Sequence, residues 1–259
     1  MGTAWSTCWR EQPRAEAFIA LPSRLHNRYF LVRHGESKLE LEQMILSDPS
    51  CKYDFNFSLT NRGREQMRNA ALEIERMGGS VSWIYTSNFQ RAFQSALILR
   101  EELGLLYSNF RTEFSGLLDP RKMGRLERSK VDNWKTIWEQ DQVDLNSAPP
   151  PVLSSLQPSA STESVIDLYR RALEAFTRLE GSYYGQDIVL VSHQDTLSVF
   201  TAALYGTDLR QHHVDYPYEL GQVRLVDLTK PPKNYEYDPR DLKGTFAPGD
   251  TVTSYPGLR

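Results

Sequence analysis

Strand-like and helix-like segments alternate along the 259 residues, which predicts an α/β fold: a three-layer α/β/α sandwich around a mostly parallel central sheet. Three observations carry this prediction. Apolar runs at 29–32, 81–85 and 187–191 have the length and continuity of strands buried on both faces. Amphipathic helical periodicity separates them, and the runs at 29–32 and 187–191 each reach a histidine two residues after their end.

The elements follow in order. Residues 1–28 lack a clear period and hold Pro13 and Pro22, so they form an extension ahead of the fold. After the strand at 29–32, Thr60 is a candidate N-cap, and Met67, Ala70, Ala71, Ile74 and Met77 recur at helical spacing until Gly78 and Gly79 stop the helix. The strand at 81–85 leads into a helix carrying Phe93, Ala96, Leu97 and Leu103, ending at Gly104. A short strand is expected at 109–113 and an irregular stretch at 118–127. Residues 131–140 suit a helix in which Trp134 and Trp138, four apart, serve as packing residues. Prolines 149, 150, 151 and 158 among serines make 147–161 a loop. A long amphipathic helix is expected from Thr162 to about Glu180, then the strand at 187–191, a helix at about 196–204 and a last strand at 222–228. Beyond Thr229 a tail laid over the surface is expected, which leaves 29–228 as the catalytic domain with a loop insertion at about 114–161.

Composition narrows the function classes. Thirty Lys plus Arg against 33 Asp plus Glu give a net charge of -3, so no extended basic surface for nucleic acid is expected. No apolar stretch reaches the roughly 18 residues that cross a bilayer, and no signal-peptide pattern opens the chain. Cys8 and Cys51 form at most one bridge, which suits a reducing, cytoplasmic compartment. Gly2 fits the loose N-myristoylation pattern with Cys8 nearby, so membrane attachment is expected only if Gly2 is acylated. A homo-oligomer is compatible with the sequence, which does not determine it.

Sheets of this class hold their sites beyond the carboxyl ends of their strands. That edge gathers Arg33, His34, Arg91 and His193. One histidine after a strand often does no more than bond a carbonyl; two, joined by two arginines, point to an anion. Guanidinium forks match phosphoryl geometry and stay charged, and they are poor neighbours for a metal, so no metal and no cofactor are expected. A neutral imidazole then attacks phosphorus.

The segments Leu31-Val32-Arg33-His34-Gly35-Glu36-Ser37, Tyr85-Thr86-Ser87-Asn88-Phe89-Gln90-Arg91-Ala92 and Val191-Ser192-His193-Gln194-Asp195-Thr196-Leu197 resemble the signature segments of the histidine phosphatase superfamily, most closely its phosphoglycerate mutase-like branch. The resemblance implies that His34 is the phosphorylated nucleophile, that Arg33 and Arg91 bind phosphoryl oxygens, and that His193 completes the pocket. It also implies substrate contacts from Gly35 and Ser37.

There are departures. Glu40 stands where the family often has Asn; a carboxylate facing phosphate repels it, so either Glu40 points away or that contact is lost. Gln194 stands where the family usually has Gly, adding a donor to the pocket. Pro120 stands where the branch commonly has its acidic proton donor, which makes the adjacent Asp119 the first candidate acid, with Asp195 and Glu113 behind it. Arg121 is a candidate contact for a second anionic group. The expected function is a metal-independent phosphatase acting on a small phosphorylated substrate. The alternatives are mutase-type phosphoryl transfer and a catalytically weak binder of phosphorylated ligands.

Overall fold

A computed structural model describes residues 25–112, 116–151 and 162–226. Glu113, Gly2, Cys8, the 1–24 part of the extension and the tail beyond 229 lie outside the described residues, as do 227–228 of the last expected strand.

Five strands form one sheet: β1 (Arg28–Arg33), β2 (Val81–Thr86), β3 (Phe110–Thr112), β4 (Asp187–Ser192) and β5 (Val223–Val226). Their order is β3-β2-β4-β1-β5, with every pair parallel except the antiparallel β1–β5 edge. The period-two pleat divides the apolar runs between two layers. Phe30, Val32, Ile84, Val189 and Val191 pack under α2 (Asn61–Arg76) and α3 (Gln90–Glu102). Tyr29, Leu31, Tyr85, Ile188 and Leu190 face α5 (Val165–Ser182) and α6 (Gln194–Tyr205). This is the three-layer sandwich expected, and β4, flanked on both sides, is buried at all six positions.

Local chemistry sets the helix ends. Thr60 caps α2 by accepting from the Gly63 N–H at 3.0 Å. Ser164 and Asp167 form a capping box, so α5 starts at Val165 and not at Thr162. His193 takes the N-cap position of α6 with an extended backbone, which starts that helix two residues before the expected Thr196. The five-residue α1 (Lys38–Glu42) was not expected; Ser37 and Glu40 close a capping box over it, and the Ser-x-x-Glu spacing is its sequence signal. Within the expected insertion lies α4 (Asn133–Val143).

Parallel pairing brings the strand ends together. Arg33 lies opposite Ser192 and Thr86 opposite Val191, so the residues that follow, His34, His193 and Ser87, emerge side by side.

Candidate active site

His34 is 3% exposed, and its two ring nitrogens have distinct roles. Nδ1 lies 2.8 Å from the Gly35 carbonyl oxygen, which can only accept, so Nδ1 carries the hydrogen. Nε2 therefore presents a lone pair, and the Arg91 Nε–H donates to it at 3.2 Å. Burial lowers the His34 pKa to about 3; Glu40 opposes this, while Arg91 and Arg33 add to it. The ring is neutral near pH 7.

His193 sits with its ring 5.1 Å from that of His34. Burial, then the nearby Arg91, His34 and Arg33, hold its pKa well below the ordinary value. The Ser87 hydroxyl donates to Asp119 Oδ1 at 2.9 Å, so the 3.1 Å contact of His193 Nε2 is a donation to Ser87 Oγ. His193 Nδ1 is buried without a hydrogen-bond partner, and so is Arg33 Nε. Arg33 is anchored instead through its Nη1 donation to the Tyr218 carbonyl at 2.6 Å. Arg91 donates through Nη2 to the Leu46 carbonyl and lies 5.0 Å from the centre of the Phe89 ring. These four side chains share the inner end of a cavity of about 410 Å³. Buried polar atoms left without partners at such a place are set to meet a polar ligand.

Several expected contacts are elsewhere. Asp119 is buried but does not line the cavity; its Oδ2 is held by Lys52 Nζ at 2.7 Å and its Oδ1 by Ser87, which suits it to orient His193 rather than donate to a leaving group. Asp195, the alternative acid, accepts from Trp138 Nε1 at 2.9 Å and from Arg121 at 3.2 Å, so both oxygens are occupied. Arg121 is not a free anion contact: it is fully buried, forks onto Asp141 at 2.7 and 2.9 Å, and donates to Asp195 and the Glu163 carbonyl. Ser37 does not line the cavity either, because its hydroxyl donates to Glu40 and accepts from Leu39.

A Cβ at Gly35 meets the Gly63 carbonyl oxygen at 2.4 Å, so the close approach of α2 requires glycine at this position. Gln194 lines the cavity as expected.

Glu40 does not point away. It faces the cavity, with Oε2 accepting from the Ser37 N–H and O–H, and Oε1 lies 3.9 Å from His34 Nε2. Burial pushes its pKa up, but His34, Arg91 and the two Ser37 hydrogen bonds outweigh this, so the net shift is downward. Trp134 and Trp138, expected only to pack, also line the cavity. Trp138 is fixed by stacking on His213 at 4.8 Å and 8°. His212, to which no role is assigned from sequence, is fully buried, 3.7 Å from Asp141 and 3.8 Å from Asp195. Among the described residues no group of three or more His, Cys, Asp or Glu side chains is arranged to hold a metal ion, and no helix is long and apolar enough to cross a membrane.

The histidine phosphatase superfamily (branch 1) matches residues 29–231. The chain belongs to this superfamily. A 2,3-bisphosphoglycerate-dependent phosphoglycerate mutase of Bradyrhizobium is 26% identical over 182 residues, 67% of this chain and 79% of its own. Among solved structures, the mycobacterial glucosyl-3-phosphoglycerate phosphatase superposes with a TM-score of 0.59 at 19% identity, over 77% of this chain and 90% of that one. The α-ribazole phosphatase of Shigella flexneri gives 0.58 at 21%, with the same two coverages. The sequence relative is thus a mutase and the two structural neighbours are phosphatases, whose likeness shows the shared fold.

Proposed function

We propose that this histidine phosphatase is a metal-independent phosphomonoesterase that works through a phosphohistidine on His34, with residues 29–228 as its catalytic unit. The observation that carries this reading is the unprotonated Nε2 of His34, aimed into the same cavity end as two guanidinium groups. A phosphoryl anion draws Arg91 off Nε2 and onto its own oxygens, freeing the lone pair as the electrophile arrives. Arg33 Nε, a buried donor without a partner, stands ready for a remaining oxygen. Nε2 attacks, the leaving group departs, and water opens the phosphoramidate.

The outer cavity favours hydrolysis over mutase transfer. A mutase has to hold a second anionic group on its substrate. Beyond Arg33 and Arg91, the cations lining the described cavity are Arg121, neutralised by two carboxylates, and Lys135, 3.6 Å from Asp132. The wall is instead built from Met44, Ile45, Val131 and Trp134, with the neutral amides of Gln43 and Gln194. That lining suits a small monoester with an apolar, uncharged leaving group.

The test is phosphoenzyme trapping with a labelled aryl phosphate. An acid-labile, base-stable phosphoprotein is expected from the natural protein and not from His34→Asn. Full turnover by His34→Asn overturns the reading. Interconversion of 2- and 3-phosphoglycerate primed by the bisphosphate supports the mutase instead, and tight binding without turnover supports a binding protein.

A further inference from the structure

The site as described has a nucleophile and anion contacts, but the two expected proton donors among the described residues are engaged elsewhere. Asp119 is tied to Lys52 and Ser87, and Asp195 to Arg121 and Trp138. Asp132 sits at the rim with its side chain 82% exposed. Among the described residues that line the cavity, one carboxylate remains, beside His34. Glu40 is anchored through Oε2 alone, its side chain is 21% exposed, and its Oε1 stands 3.9 Å from the nitrogen that attacks phosphorus.

Resting on the phosphatase reading above, we propose that Glu40 is the catalytic acid and base of this site. A carboxylate beside bound phosphate is a liability only while both are fully ionised. A phosphomonoester monoanion brings its own proton, since the second ionisation of such groups lies at about pH 6. Beside Glu40 Oε1 that proton passes from the phosphoryl oxygen to the carboxylate, and the resulting dianion settles against Arg33 and Arg91 with no second negative charge facing it. These guanidinium groups, with His34, are the charged and titratable groups that face Glu40 from β1 and α3. Nε2 then forms its bond to phosphorus, and the bond from phosphorus to the leaving oxygen breaks. The electron pair goes to that oxygen, which takes the proton from Glu40 and leaves as an alcohol. In the second half, Glu40 removes a proton from water as the water oxygen bonds to phosphorus. The phosphorus–nitrogen bond breaks, its pair returns to Nε2, and phosphate departs with the proton held by Glu40.

The experiment is Glu40→Gln, which keeps an acceptor for the Ser37 capping box and so preserves α1. Two probes separate the roles. 4-Nitrophenyl phosphate has a leaving group that departs without a proton, whereas butyl phosphate needs one. In kcat/KM, which reports steps through phosphorylation of His34, Glu40→Gln is expected to lose about 10²- to 10⁴-fold on butyl phosphate and less than about tenfold on 4-nitrophenyl phosphate. For the natural protein, kcat/KM on butyl phosphate falls above about pH 6, and this fall is absent from the variant. Equal losses on the two substrates overturn the assignment, and so does a gain on both, which marks Glu40 as a repulsive neighbour. If the natural protein forms no phosphoenzyme and turns over neither probe, the phosphatase reading fails and takes the assignment with it. A trapped phosphoenzyme with equal losses removes Glu40 alone.

Discussion

Arg121→Met separates a structural arginine from a phosphate-binding one. Arg121 and Asp141 are both fully buried, and the guanidinium spans Asp141 and Asp195 at 2.7 to 3.2 Å. Met matches the aliphatic volume but leaves two carboxylates in the core beside His212. Removing one partner of a buried pair costs about 3–5 kcal/mol. At about 2–4 °C per kcal/mol for a domain of this size, the melting temperature is expected to fall by roughly 6–20 °C at pH 7. The pH dependence has a definite sign. In the natural protein burial raises the Asp141 pKa, but the Arg121 fork, then His212, overcome it and leave the net shift downward, so its contribution is present above the unfolded carboxylate value and lost on acidification. Without Arg121, burial dominates and raises that pKa, so the deficit of the variant is largest at neutral pH and shrinks towards about pH 5. Thermal melts at pH 5 and 7, with KM for an aryl phosphate, make the measurement. A melting temperature unchanged within about 2 °C together with a tenfold rise in KM refutes the structural role and restores Arg121 as an anion contact.

Other outcomes follow from the same geometry. Gly63→Ala places a Cβ 2.0 Å from the Glu36 carbonyl oxygen, a backbone atom, so a loss of at least about 3 kcal/mol is expected in urea denaturation, with His34 displaced and kcat reduced; an unchanged midpoint contradicts the packing account. Trp134→Ala removes part of the cavity wall and is expected to raise KM for a naphthyl phosphate about 2- to 10-fold while leaving glycerol phosphate unaffected; equal effects on both count against an apolar leaving-group site. Because burial depresses the pKa of both His34 and His193 in the folded state, stability is complete above the unfolded histidine value of about 6.5 and lost as pH falls below it. His34→Asn is expected to flatten that acid limb in pH-dependent melts, and an unchanged slope assigns it to other groups.

Residue order alone determined the layered sheet and the meeting of Arg33, His34, Arg91 and His193. Continuous apolar runs with a period-two pleat have few ways to be buried, and parallel pairing brings whatever follows each run to one edge. The direction of Glu40 was legible only in part: Ser37-x-x-Glu40 is a capping signal, and that cap is what turns the carboxylate towards the site. Only tertiary structure decided the rest. Arg121 meets Asp141 and Asp195, 20 and 74 positions away, and Gly35 is required by the carbonyl of Gly63. Asp119 is drawn out of the cavity by Lys52, and Trp134 enters it from a helix whose apolar spacing signals packing alone. Each of these depends on which distant group fills the space beside a side chain, and periodicity and local propensity carry no record of that.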